Sequence, residues 1–166
     1  IVVLALSMTL PPFISQNVGA GQVERVKTAY SLTLKFVLVW QFAIFLVMWG
    51  LSSWIAVAFA NEAEVSVLIQ LFLMILPLGY GMQGIIILTN SSLNAMHRPM
   101  TALTLSVIRL FVFFVPISVA GSFLFELKGL FAGTVIANIA MACVSFVVFK
   151  RAITQFELDK ETSEHS

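Results

Sequence analysis

A chain of 166 residues with 60% hydrophobic and 10% charged side chains, a formal net charge of +1 and a mean hydropathy of +1.01 stands far from the roughly 25% charged composition of soluble domains. So few ionisable groups exclude a soluble enzyme or a nucleic-acid binder and leave an all-α integral membrane protein. Lipid offers the backbone no water, so each crossing segment has to be a helix of about 20 mostly apolar residues.

The first apolar piece, Ile1 to Ser15, starts directly in apolar sequence without Met. It lacks the basic flank and the small-residue cleavage site of a signal peptide. At 1.5 Å per residue it reaches roughly 22 Å against a hydrocarbon core of about 30 Å, which predicts a fragment beginning inside a helix. The following turn carries Gly19 and Gly21, which can adopt positive φ, and Gln16 and Asn17, which can bond freed carbonyls. Arg25 and Lys27 then anchor the next helix at the membrane surface.

Four full spans follow: Phe36 to Ala60, Val65 to Thr89, Thr101 to Phe125 and Gly129 to Phe149. With the first piece they predict about five transmembrane helices, at approximately 1–15, 30–60, 65–89, 101–125 and 129–150, in a membrane domain over 1–151. Basic residues alternate sides. Arg25, Lys27 and Lys35, then Arg98 beside His97, then Lys150, Arg151 and Lys160 fall on one side, against Lys128 with Glu62, Glu64 and Glu126 on the other. The basic side is expected to be cytoplasmic, in a multi-pass plasma (inner) membrane protein whose C-terminus is also cytoplasmic. The tail over 152–166 is polar and, from Gln155 on, without an apolar period, so it is expected to be solvated and mobile.

Inside the second full span, Gln70, Met74, Pro77, Gly81 and Gly84 recur at intervals of three and four and share one helical face. Two readings stand: close packing of a neighbouring helix on small residues, or a polar, kinked lining for a cavity, since Pro77 frees a backbone carbonyl. Tyr80 and Gln83 lie on another side of the same helix. In the last span Gly129, Gly133 and Ala137 follow a small-xxx-small spacing that suits close helix contact, and Asn138 needs a partner on a neighbouring helix.

Arg109 is the one ionised side chain well inside a span. An intramembrane charge is a functional candidate, yet eight residues from Thr101 is roughly 12 Å, within reach of snorkelling. Anchoring and a substrate or gating role both remain open. No Asp, Glu or His stands inside the spans. The single Cys143 has no second thiol, and His97 and His165 lie at a loop edge and in the tail. No metal site, cofactor site or catalytic pair is expected, and neither is an enzyme.

The string Pro11-Pro12-Phe13-Ile14-Ser15-Gln16-Asn17-Val18-Gly19-Ala20-Gly21 resembles the P-x-x-x-Q-N-x-G-A-G segment after the second and eighth helices of the MATE (multidrug and toxic compound extrusion) family. Asn94-Ala95-Met96-His97-Arg98-Pro99 is similar to its N-A-x-G-x-P turn, with Met96 taken as the departure where Gly is usual. Ser106, Arg109 and Pro116, the last a second helix-kinking proline, resemble the helix after that turn. The likeness extends to about Arg151. It implies helices eight to twelve of a twelve-helix, two-lobe transporter, most of its C-terminal six-helix lobe, without the N-terminal lobe and the seventh helix.

The resemblance implies efflux of amphipathic or cationic small molecules by alternating access, coupled to influx of sodium ions or protons. In one branch an acidic residue on the tenth helix helps bind the cation; Gly84 holds that place here, so the coupling site is expected outside this chain. Substrate-cavity candidates are Met8, Gln70, Met74, Tyr80, Gln83 and Arg109, because flexible Met and amphipathic aromatics accept varied apolar cations. The expected partners are the lipid bilayer and the N-terminal lobe of the same transporter. Two alternatives are a lipid-linked oligosaccharide flippase of similar architecture, for which one Arg109 is too few cations, and a membrane subunit that only packs against a partner.

Overall fold

The computed structural model describes residues 1–59 and 63–164. Among them the chain is helical throughout. The elements are α1 (Val2–Gly19), α2 (Val23–Phe59), α3 (Ala63–Ala95), α4 (Pro99–Ile108), a π-helical stretch (Arg109–Phe114) and α5 (Val115–Glu164). The predicted span end at Ala60, the acidic Glu62, the Lys160 side chain, His165 and Ser166 lie outside the described residues.

The helices outrun the apolar runs that predicted them. With 37 residues, α2 is about 55 Å long, nearly twice the hydrocarbon thickness. Its first turns, with Arg25 and Lys27, form an extension beyond the apolar run. The first helix continues through Pro11 and Pro12 to Gly19. Each ring removes a hydrogen bond from the preceding turn, and hydroxyls there turn to the backbone, Ser7 Oγ donating to Leu4 O at 2.8 Å and Thr9 Oγ1 to Ala5 O at 3.1 Å.

The last two predicted spans form one continuous element broken only at Phe125 (φ −138°) and Glu126 (φ 54°). The limbs on either side fold back on each other along glycine. A Cβ on Gly129 would run into the carbonyl of Gly121, and one on Gly133 would sit 2.8 Å from Ile117 O. The small-xxx-small spacing is a packing seam. The expected mobile tail is instead helical to Glu164, and through Phe156 it is docked, Ala152 and Ile153 being buried and Phe156 packed against the core. Its apolar contacts are too widely spaced among polar residues to stand out as a period.

Two turns end their helices in the same way. After α1, Gln22 N–H reaches Asn17 O at 2.8 Å and Gly21 N–H reaches Val18 O at 3.0 Å, with Gly21 at φ 68°. This is a Schellman end with glycine at its left-handed position. After α3, Arg98 N–H reaches Leu93 O at 3.0 Å and His97 N–H reaches Asn94 O at 3.2 Å, with His97 at φ 58°. The departure from the N-A-x-G-x-P pattern therefore falls on His97, which occupies the left-handed position that glycine suits. Met96 is a buried core residue.

The core forms around α3, against which α1, α2, α4 and α5 all pack. Its fully buried members include Ile14, Val26, Val37, Ile86, Leu88, Leu93 and Met141. At the basic end Tyr30 ties three helices together. Its ring stacks on Phe149 with centroids 3.5 Å apart, and its hydroxyl lies 2.7 Å from Thr89 Oγ1. The Thr89 hydroxyl already donates to Ile85 O at 2.8 Å, so Tyr30 is the donor. Nearby, Lys27 Nζ pairs with Glu157 at 2.6 Å and Glu24 at 2.9 Å, and Arg98 Nη1 donates to Gln155 Oε1 at 3.2 Å.

Candidate functional site

The Pro77 face of α3 divides between the two readings left open by its sequence. Gly84 is packing: a Cβ there would meet Val37 Cγ1 at 2.9 Å and Val3 at 3.2 Å. One turn earlier, Pro77 and Gly81 line a cavity of about 360 Å³ between α2 and α3, together with Gln41, Phe42 and Phe45. Gln41 Nε2 donates to Pro77 O at 3.0 Å, bridging the helices at the proline. At the other end of the face, Gln70 Nε2 bonds Ser53 Oγ at 3.0 Å. Gln41 escaped the sequence reading, although an amide inside an apolar span is itself a signal, because such a group needs a partner in lipid.

The six cavity candidates differ in setting. Met8 and Tyr80 are exposed on α1 and α3, Gln70 is engaged with Ser53, and Met74, Gln83 and Arg109 are half-buried. None of them lines the Gln41 cavity. Three of the family-motif residues act at turns: Asn17 Nδ2 donates to Phe13 O at 2.7 Å, Gly21 takes the positive φ, and Pro99 opens α4. Gln16 and Gly19 close α1 on its exposed side, and Asn94 O receives the His97 N–H.

A polar facet forms instead between α3 and the antiparallel α4. Asn90 Nδ2 donates to Ser106 Oγ at 3.0 Å, and Ser106 Oγ donates on to Ala102 O at 3.0 Å. The buried Asn90 Oδ1 is left without a hydrogen-bond donor among the described residues. Arg109 stands one turn beyond Ser106, and helical periodicity places Gln83 two turns from Asn90 on the same face of α3. Nothing among the described residues bonds or pairs with the Arg109 guanidinium. Measured from Pro99 it lies ten residues along the helix, a rise of about 15 Å.

The π-helical stretch begins at Arg109 itself. Pro116 follows two residues after it, and its ring would collide with the carbonyl of residue 112 in a regular helix. The wider i→i+5 winding takes up that collision and turns the Arg109 turn away from α-helical register. Of these groups the Arg109 guanidinium is the one suited to an anionic, hydrogen-bonding partner, whereas Asn90 Oδ1 can only accept from a donor.

The MatE family model matches residues 1–120. A protein of Shewanella oneidensis described as an FAD transporter is 37% identical over 151 residues, 91% of this chain and 33% of that protein. The crystal structure of the Vibrio cholerae MATE transporter VcmN in its bent form superposes with a TM-score of 0.88 at 33% identity, over 94% of this chain and 36% of that one. A MOP-superfamily transporter from Pyrococcus furiosus shares the fold, with a TM-score of 0.84 at 19% identity over 93% of this chain and 35% of its own. The chain thus spans about a third of the length of these relatives.

Proposed function

The chain belongs to the MATE family of membrane transporters, and we propose that it is part of the C-terminal lobe of an exporter that moves amphipathic small molecules across the plasma membrane by alternating access, driven by inward flow of sodium ions or protons. The carrying observation is the superposition of 94% of the chain on VcmN at 33% identity. The gathering of Arg25, Lys27, Arg98, Lys150 and Arg151 at one end of the bundle supports a cytoplasmic orientation for that end. The packing of Gly84 against Val37 and the absence of an acid from the predicted spans support a coupling carboxylate in the other lobe.

For the cargo, one reading is organic cations, supported by the family resemblance. A second is supported by two observations of another kind: the Shewanella relative is described as an FAD transporter, and the polar facet presents Arg109 rather than a carboxylate. FAD carries an anionic pyrophosphate, which a guanidinium binds through charge-assisted hydrogen bonds. The test is to express the complete reading frame in bacteria deprived of their own exporters, and to measure ethidium efflux and flavin release together. Ethidium efflux alone supports the cation reading, and flavin release alone the dinucleotide reading. Neither, with the protein inserted in the membrane, refutes both.

A further inference from the structure

Where the basic ends of α2 and α5 meet, a cavity of about 300 Å³ is lined by Lys27, Tyr30, Ser31, Phe146, Phe149, Lys150, Ile153 and Thr154. We propose that this cavity holds the phosphate headgroup of an anionic phospholipid.

Its floor is fixed, Tyr30, Phe149 and Ile153 being buried and the first two stacked. Its rim is polar and open. The charges around it are unequal. Lys27 is compensated by Glu157 and Glu24, whereas Lys150 forms no ion pair among the described residues and is held above the Phe146 ring, 4.9 Å from its centroid. That leaves one cation positioned by an aromatic face and free to meet an anion. The Ser31 hydroxyl makes no bond among the described residues and is a second donor, while Thr154 is occupied with Lys150 O at 3.1 Å.

Depth and shape select a lipid over a soluble anion. The cavity sits where the apolar run of each helix gives way to charge, the level of lipid headgroups. Below it the outer surfaces of both helices stay apolar and exposed, with Leu38, Val39, Phe42, Ile139 and Val147 available to an acyl chain. Basic pockets between transmembrane helices are recurrent headgroup sites.

The protein from the complete reading frame, purified and delipidated, is titrated by native mass spectrometry with dioleoyl phosphatidylglycerol, dioleoyl phosphatidylcholine or inorganic phosphate. The proposal expects phosphatidylglycerol to be retained preferentially. It expects the Lys150→Gln, Ser31→Ala double variant to lose that preference by on the order of tenfold, Lys150→Arg to keep it, and Lys128→Gln at the opposite end to leave it unchanged. Both lysine positions are exposed, and an unaltered elution profile certifies the fold. Equal retention of the two lipids, an unaffected double variant, or inorganic phosphate competing as well as the lipid overturns the proposal.

Discussion

Replacing His97 with glycine is expected to stabilise the lobe, against the usual direction of core-adjacent substitutions. His97 sits at φ 58°, where an L-residue costs roughly 1–2 kcal/mol because its Cβ crowds the following carbonyl. Its side chain is exposed, and the two hydrogen bonds of the turn, Arg98 N–H to Leu93 O and His97 N–H to Asn94 O, are made by backbone that glycine keeps. Against the relief stands glycine's greater freedom in the unfolded chain, about 0.5–1 kcal/mol. The difference is a gain of about 1 kcal/mol, or a rise in Tm of about 2–4 °C for a chain of this size. Helical circular dichroism of the detergent-purified protein during heating measures it. Gly21→Ala, at φ 68° in the matching turn after α1, is the internal control and should lower Tm. If His97→Gly lowers Tm as Gly21→Ala does, the imidazole makes a stabilising contact and the backbone argument is wrong.

Gly129→Ala places a methyl in the Gly121 carbonyl, and separating the two limbs of α5 is expected to cost several kcal/mol, seen as loss of monodisperse protein; Gly50→Ala, in open space, should be silent. Tyr30→Phe removes the donor to Thr89 while keeping the Phe149 stack, and a loss of about 1 kcal/mol in the same melt is expected. No change there would place the value of Tyr30 in its ring. On the dinucleotide reading, Arg109→Ala is expected to reduce flavin release by the complete transporter roughly 10–100-fold, the equivalent of one charge-assisted hydrogen-bonding partner, with Arg109→Lys recovering only part because the bidentate fork is lost. Unchanged release at normal expression would assign Arg109 to anchoring.

Helix number, a close helix contact on the Gly129 and Gly133 spacing and the gathering of the basic residues at one end were legible because each rests on a periodicity or a composition that a single strand of sequence displays. Helix ends were not. The apolar run stops at the lipid boundary, but the hydrogen-bond ladder does not, so α2 begins at Val23 and α5 continues past Lys150. The pairings that define the polar facet and the basic end were also hidden. Asn90 with Ser106 and Lys27 with Glu157 are neighbours only because antiparallel helices bring them together, 16 and 130 residues apart in sequence. The π-helical stretch was half visible: Pro116 announced a distortion, and only the backbone shows that the distortion is absorbed N-terminal to it, beginning at Arg109.

These pieces bear on how such a lobe could take part in alternating access. Rocking one lobe against another requires each to keep its shape while the interface between them changes. Here α3 is clamped on several sides: to α2 by Gln41 and Pro77 O, to α2 and α5 through Tyr30, Thr89 and Phe149, and to α5 by Gly79 lying against Val135. The π-helical stretch has little support: Leu110, Phe111, Val112 and Phe114 are exposed, no residue is buried, and Phe113 alone packs against the core. If the lobe bends during transport, the change in winding belongs at Arg109–Phe114. A π-to-α transition there would rotate Arg109 relative to Asn90, making the exposure of the guanidinium depend on the conformational state. Distances between spin labels at Thr104 and Phe123 in the complete transporter, one on each side of the stretch, would report such a transition as a shift between cargo-free and cargo-bound states. An invariant distance would mean that the lobe moves as one rigid unit.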